Sequence, residues 1–197
     1  MEEYSELVEK YKRFREVNRE FNNILTRKVS KNAIHNCGIK LGIMRGDTLV
    51  FEDEQEMDVL IDYCIYDYYE NGQNAVSRYM SESPPSPGSD EYVVLKAMSE
   101  AFYTLVQIEQ ILKGVGVQAD DLFGERRYLL TDTGLGKTGV KGLVIATRLL
   151  PFADFVMTSG APLPIDPEVT EEILDFIKQH FGSEDGKYIT LDRRILT

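Results

Sequence analysis

YTLVQIEQIL, at residues 103–112, opens the second half of the chain and is rich in β-branched, aromatic and aliphatic residues. Four similar runs follow it: VGVQADDLF (115–123), RRYLLTD (126–132), LVIATRLLPF (143–152) and DFVMTSG (154–160). Turn residues such as Lys113–Gly114 and Gly124–Glu125 separate them. Because short strands joined by turns are typical of all-β units, the sequence predicts an antiparallel meander that closes into a small barrel or a strongly curled sheet.

Apolar residues recur at helical spacing on both sides of this region. Residues 2–28 predict one long amphipathic helix, whose apolar face carries Tyr4, Leu7, Val8, Tyr11, Phe14, Phe21 and Leu25. Ser30, Asp53 and Ser89 are residue types that cap helix N-termini, which predicts three further helix starts. Asp166–Pro167 predicts the start of a C-terminal helix, with a buried face formed by Val169, Ile173, Phe176 and Ile177.

The proline-rich segment SPPSPG (83–88) interrupts the helical part of the chain. Proline cannot continue a helix or donate to a sheet, so the segment predicts an exposed linker at 84–90. We therefore expect an α+β fold, with a helical N-terminal half packed with a small antiparallel β-meander or barrel and a C-terminal helix. The predicted organisation is a helical region at 1–83, the linker, a region at 91–182 that holds one helix, the sheet or barrel and the C-terminal helix, and a tail at 183–197.

The 197-residue chain is acidic, with 22 Lys and Arg against 33 Asp and Glu and a formal net charge of −11. Non-specific binding to nucleic acid or to an anionic membrane needs excess positive charge, so the composition disfavours both. The charged N-terminus lacks the apolar segment of a signal peptide, and no apolar run reaches the roughly 18–20 residues of a membrane span. The two cysteines, Cys37 and Cys64, are too few for a disulfide framework and are expected to be reduced. These observations predict a cytoplasmic protein with no membrane partner.

The motif TDTGLGKT (131–138) resembles a phosphate-binding loop, in which backbone N–H groups and a lysine, here Lys137, hold the phosphates of a nucleotide. Three features oppose this interpretation. Thr131 stands where the full pattern has glycine, and Gly139 and Gly142 interrupt the helix that should follow. The chain after Thr138 is also too short for the parallel sheet that this chemistry requires. The sequence therefore predicts a flexible hairpin loop and no nucleotide cofactor.

Residues for catalysis or metal binding do not stand out. His35 and Cys37 lie two positions apart, but Cys64 and His180 are distant and there is no paired C-x-x-C motif. Cys37 and Cys64 are interpreted as small core residues. The chain has two histidines and no nucleophile-elbow pattern. We predict no catalytic, cofactor-binding or metal-binding residue, and the sequence favours a non-enzyme.

Charge is strongly segregated along the first half of the chain. Residues 10–45 hold ten basic and two acidic residues, whereas residues 47–70 hold nine acidic and no basic residues. We expect the two blocks to neutralise each other within the fold, and the alternative is that one of them meets an oppositely charged partner. The candidate partner-binding residues are Lys12, Arg15 and Arg19 on the first helix, and Arg126, Arg127, Lys137, Lys141 and Arg148 in the β-rich region.

Three segments together carry a resemblance to a known family: RGDTLVFEDEQEMDVLIDYCIYDY (45–68), NAVSRYM (74–80) and GLVIATRLLPFADFVMTSGAPLPI (142–165). They resemble an uncharacterised bacterial protein family whose members have a helical half followed by a β-rich half. Some members are associated with a cysteine-rich zinc motif of the SEC-C type elsewhere. The resemblance implies the fold but no activity, and a chain with only Cys37 and Cys64 lacks the zinc motif.

Two functional hypotheses remain open from the sequence. The first is a non-enzymatic interaction or regulatory module with a protein partner. The alternative is a nucleic-acid-binding protein that uses the basic segment 10–45, which has some features of a helix-turn-helix, or the loop region 126–148. The oligomeric state is left open.

Overall fold

The protein is described by a computed structural model that covers residues 4–124 and 126–181. Residues 4–100 form five helices and one small hairpin: α1 (Ser5–Lys28), α2 (Lys31–Lys40), β1 (Met44–Arg45), β2 (Thr48–Leu49), α3 (Glu54–Tyr66), α4 (Ala75–Glu82) and α5 (Asp90–Ser99). The long helix predicted over 2–28 is confirmed from Ser5 onward, and its first two positions lie outside the described residues.

Side-chain caps fix where the helices of this region begin. Ser30, Asp53 and Ser89 each accept a hydrogen bond from the backbone N–H three residues further on, which confirms the three predicted caps. Asn74 caps α4 in the same way, at Ser77. Such caps satisfy N–H groups that a helix leaves without partners, and each contributes about 0.5–2 kcal/mol.

The rest of the described chain forms a barrel with two added helices and one added strand. Its elements are β3 (Phe102–Leu112), β4 (Gly116–Asp121), β5 (Arg127–Thr131), α6 (Leu135–Thr138), β6 (Val144–Pro151), β7 (Val156–Thr158), β8 (Leu163–Ile165) and α7 (Pro167–Phe181). The predicted α+β fold with a small barrel and a C-terminal helix is therefore confirmed.

The strands of the barrel are not joined as a simple meander. β3, β4 and β5 pair antiparallel in succession, but β5 then pairs with β7, in parallel, and β6 lies between β7 and β3. The order β3-β4-β5-β7-β6 forms a closed barrel because β6 also pairs with β3. β8 pairs antiparallel with residues 144–146 of β6, whereas β7 pairs with residues 149–151. A three-strand meander closed by a crossover fits the OB type of five-stranded Greek-key barrel.

Apolar side chains fill the barrel and also cover part of its outside. The interior side chains are Val106, Ile108, Val117, Ala119, Leu130, Ile145, Leu149 and Val156. A second cluster on the outer face of β3 and β6 includes Tyr103, Leu105, Val144, Ala146 and Ile165. Ile173 and Leu174 of α7 pack against this outer cluster. β3 is thus buried on both faces from Tyr103 to Val106, whereas Gln110 and Ile111 near its other end are exposed.

The predicted buried face of α7 is wrong in part. Val169 and Phe176 are 41% and 46% exposed, whereas Ile173 is partly buried as predicted. Ile177 belongs to the predicted face too, but its side chain is outside the described ones. Leu174 packs on the sheet beside Ile173, in place of Val169 and Phe176. The face of the helix that contacts the sheet is therefore narrower than predicted and rotated about the helix axis.

The chain forms two compact units. One unit contains residues 12–100, and the other contains residues 4–11 together with the described chain from residue 101. Helix α1 therefore contributes its first turns to the barrel unit and the remainder to the helical unit. The linker and domain boundaries predicted at 84–90 stay a prediction. Among the described residues, no helix combines the length and apolar character needed to cross a membrane.

Candidate functional site

The glycine-rich loop has the sequence of a phosphate-binding loop but a different geometry. The Asp132 carboxylate accepts hydrogen bonds from the backbone N–H groups of Gly134 and Leu135, at 2.8 and 3.1 Å. The next N–H groups, those of Gly136 and Lys137, donate to backbone carbonyls of the same loop. α6 is only four residues long. The N–H groups that would hold a phosphate are thus already used by the loop itself.

We expect Mg·ATP to leave the melting temperature of the protein unchanged, because Asp132 occupies the anion-binding positions of the loop and adds a negative charge there. Thermal unfolding with and without the nucleotide measures this, and Lys137→Ala should give the same result as the wild type. A rise of several degrees that Lys137→Ala abolishes would contradict the geometry.

Three of the five basic residues predicted as a binding set in the β-rich region are paired with carboxylates or buried. Arg127 pairs with Asp120 through two hydrogen bonds of 2.6 and 2.8 Å, and this contact lowers the pKa of Asp120. Lys141 lies 3.5 Å from Glu109. Arg148 is 3% exposed and lies over the ring of Tyr103.

The remaining predicted cations are on the surface. Arg126 and Lys137 are exposed, the first beside Tyr128 and the second on α6. In the helical unit, Lys12 and Arg19 are exposed and Arg15 is half-buried. A binding role for Lys12, Arg15, Arg19, Arg126, Arg127, Lys137, Lys141 and Arg148 stays a prediction.

Neighbouring cations of α1 already have acidic partners within the helical unit. Arg13 lies 3.0 Å from Asp90, and Lys28 lies 3.9 Å from Glu82. Both partners lie outside the acidic block 47–70. Exposed pairs of this kind contribute about 0–1 kcal/mol each.

A buried carboxylate organises one end of the barrel interior. Asp121 accepts hydrogen bonds from the Thr104 hydroxyl at 2.8 Å, from the N–H groups of Phe123 and Gly124, and from the Tyr128 hydroxyl at 3.2 Å. Burial and the nearby Asp121 carboxylate raise the pKa of Tyr128 to about 12. The phenol therefore stays protonated near neutral pH, and the cluster holds the turn after β4 in place.

A pocket of about 400 Å³ lies at the β3–β4 turn, against the first turns of α1. Its lining residues are Tyr4, Ser5, Val8 and Glu9 from α1 and the residue before it, and Leu112, Lys113, Gly114 and Val115 from the turn. The ring of Tyr4 and the aliphatic side chains of Val8 and Leu112 make the walls largely apolar. Ser5, Glu9 and Lys113 add polar groups.

Close packing of glycines fixes the turn that forms one wall of this pocket. A Cβ atom on Gly136 of α6 would lie 2.9 Å from the backbone N of Gly116 and 3.1 Å from the backbone O of Leu112. α6 can therefore approach the β3–β4 turn only because position 136 has no side chain. On the same unit, Lys10 of α1 forms a 3.0 Å ion pair with Asp154 in the β6–β7 loop.

Sequence reasoning missed the pocket. It assigned Tyr4 and Val8 to the buried face of a helix and Lys113–Gly114 to a turn, and nothing in either segment indicates that the two lie side by side. The one sequence signal for the location of the pocket was the turn between the first two predicted strands, which forms one of its walls. In the ranges that the structure describes, no three His, Cys, Asp or Glu side chains come together as metal ligands.

Comparison with known proteins identifies a family without an assigned activity. The sequence profile described as "Family of unknown function (DUF7986)" matches residues 5–194. The predicted membership of an uncharacterised family is therefore confirmed, whereas its bacterial origin and its association with SEC-C motifs stay predictions. No curated protein and no solved structure matches the chain significantly.

Proposed function

The chain belongs to the Family of unknown function (DUF7986), and we propose that it is a non-enzymatic interaction module that binds an apolar segment of a protein partner. The binding site is the pocket between the first turns of α1 and the β3–β4 turn. One observation carries this proposal: the pocket lies at the loop between the first two strands of a closed five-stranded barrel. Barrels of the OB type bind oligonucleotides and oligosaccharides through this loop, the loop before the last strand and the neighbouring strand face, so the loop marks a binding position and the lining of the pocket decides the ligand class.

The chemistry of the pocket favours an extended peptide segment with one or two large apolar side chains. A pocket of about 400 Å³ lies in the range of specific ligand sites, and its apolar walls with a few polar groups are typical of them. Ser5, Glu9 and Lys113 offer a hydroxyl, a carboxylate and an ammonium group to the backbone and flanking charges of such a segment.

Nucleic acid, the alternative ligand class, finds less support on the barrel. Phosphate binding depends on unneutralised Lys and Arg side chains. Arg127 and Lys141 are paired with carboxylates, and Arg148 is buried. The net charge of −11 adds repulsion.

The titratable groups of the barrel interior support a non-enzymatic role. Asp121 already accepts hydrogen bonds from four donors, and Tyr128 has a pKa of about 12, outside the range useful for proton transfer near neutral pH. A cytoplasmic location is part of the proposal, since both cysteines are free thiols.

The test is selection of short random peptides displayed on phage, followed by fluorescence anisotropy with the selected peptides. Ser5→Trp places an indole in the pocket and should weaken binding by more than about tenfold, or about 1.4 kcal/mol. Glu6→Trp is the matched control, because Glu6 is the exposed neighbour in the same helical turn and does not line the pocket. It should bind as the wild type does.

Equal weakening by both substitutions, or by neither, would overturn the assignment of the site. Selected peptides without a large apolar residue would overturn the proposed ligand chemistry. Circular dichroism melting curves of both variants, which should match the wild type, exclude unfolding as the cause of any loss.

A further inference from the structure

Helix α3 presents a mixed acidic and apolar patch to solvent in its first two turns. Its buried side chains belong to the core cluster of the helical unit and include Val59, Leu60, Tyr63 and Cys64. The opposite side of the helix carries Glu54, Met57, Asp58 and Ile61. The first three of these are exposed and the fourth is partly buried. Because residues three and four apart are neighbours on a helix surface, these four side chains form one continuous patch, the α3 patch.

The carboxylates in and beside the α3 patch divide into two groups. Asp53 and Glu56 have a structural role, because they accept hydrogen bonds from the backbone N–H groups of Glu56 and Glu52, at 3.0 and 2.7 Å. The side chains of Glu52, Glu54 and Asp58 are exposed. None of these three forms an ion pair with a lysine or arginine in the part of the chain that the structure describes. Their negative charge therefore faces solvent and is accessible to a partner.

The stability of the helix accounts for Glu54 but not for Asp58. A carboxylate in the first turn of a helix is stabilised by the positive end of the helix dipole, and this effect fades beyond that turn. Glu54 lies in the first turn of α3, whereas Asp58 lies four residues further on, where like charges at this spacing repel each other. Met57 beside them is 50% exposed. Cations of a partner would relieve the repulsion, and an apolar partner side chain would cover Met57, whose flexible thioether adapts to varied surfaces.

We propose that the α3 patch is a docking surface for a basic amphipathic helix of a protein partner. Such a helix carries lysine or arginine beside an apolar stripe at three- and four-residue spacing, which is also the spacing of the acidic and apolar residues of the patch. Its cations pair with Glu54 and Asp58, and its apolar side chains lie on Met57 and Ile61. The net charge of −11 attracts a cationic partner over a longer distance and repels nucleic acid. The patch belongs to the helical unit, whereas the pocket of the proposed peptide site belongs to the barrel unit.

The test titrates the full chain into a labelled synthetic amphipathic helix made of leucine and lysine, and measures fluorescence anisotropy at low and high salt. Glu54→Gln combined with Asp58→Gln should weaken binding by about tenfold and reduce its salt dependence. Met57→Gln should weaken binding severalfold and leave the salt dependence unchanged. The matched control is Glu16→Gln combined with Glu20→Gln, because these residues are also exposed, four positions apart on a helix and equal in charge. The control should bind nearly as the wild type does.

Equal weakening by the two double substitutions would show that the peptide responds only to net charge, and would refute the docking surface. Wild-type affinity in Met57→Gln would refute it too, since the apolar half of the patch would then play no part. A peptide of leucine and glutamate with the same pattern should not bind, and binding of comparable strength would contradict the role of the carboxylates. Without peptide, the wild type and the Glu54→Gln, Asp58→Gln variant should sediment alike at low salt. Self-association of the wild type alone would assign the patch to a second copy of the chain instead.

Discussion

Gly116→Ala is expected to cost more than about 3 kcal/mol of folding free energy, since overpacking against side chains alone costs about 1–3 kcal/mol and here the obstacles are backbone atoms. A Cβ atom at this position would meet the backbone O of Leu130 and lie 2.7 Å from the backbone N of Asp132. Gly116 begins β4 and pairs with Leu112 on one side and Thr131 on the other. Neither strand can retreat without opening the barrel.

Urea denaturation with fluorescence detection measures this loss, and Gly134→Ala is the control. Gly134 has a right-handed helical conformation, and the only nearby atom is the Asp132 carboxylate, 3.0 Å from the added Cβ, on a side chain that can shift. That variant should lose far less stability, because a shift of the Asp132 carboxylate weakens at most its hydrogen bonds to the N–H groups of Gly134 and Leu135. Comparable losses of folding free energy in the two variants would contradict the prediction that the close backbone packing around position 116 excludes a side chain.

Asp121→Ala is expected to cost about 3–5 kcal/mol, because leaving each buried donor without its acceptor costs about 1–3 kcal/mol. The Thr104 hydroxyl is buried, and the N–H groups of Phe123 and Gly124 lose the acceptor that shapes their turn. The Tyr128 hydroxyl loses a bond as well, and its pKa should fall toward the ordinary range once the neighbouring carboxylate is gone.

The adjacent carboxylate supplies the control for this prediction. Asp120 points outward and pairs with Arg127 at the surface, where water replaces a lost partner. Asp120→Ala should therefore destabilise the protein far less than Asp121→Ala in the same denaturation experiment. If the two substitutions have equal effects, the hydrogen-bond network inside the barrel is not what stabilises this end of it.

Local signals in the sequence were sufficient to predict the long helices and the five strands of the barrel, but not α6 or β8. Capping residues such as Ser30 and Asp53 predict a helix start to within a few positions, because their side chains accept hydrogen bonds from the nearby backbone N–H groups. The barrel strands were recognisable from β-branched residues and turns. The order of the strands was not, because the parallel pairing of Leu130 with Val156 depends on a crossover that leaves no trace in either segment.

The candidate site depends on contacts distant in sequence. Val8 and Leu112 line one pocket although they are 104 positions apart in the sequence. The glycine-rich loop has the spacing of a nucleotide motif, and the sequence argued against that function from the residues that follow, but the capping of the loop by Asp132 could not be predicted. Charges were equally uninformative: Arg127 and Lys141 look like a cationic surface in the sequence, but their carboxylate partners are on other strands.

The proposal that the pocket at the β3–β4 turn binds an apolar peptide segment is tested most directly by amide NMR. Amide 1H–15N correlation spectra of the 15N-labelled full chain are recorded while the tightest-binding peptide from the phage selection is titrated in. We predict that the largest shifts fall on residues 5–9 and 112–115, which line the pocket and its edges. Largest shifts within 126–148, or along the rest of α1, would contradict this account and favour a site on the basic segments instead.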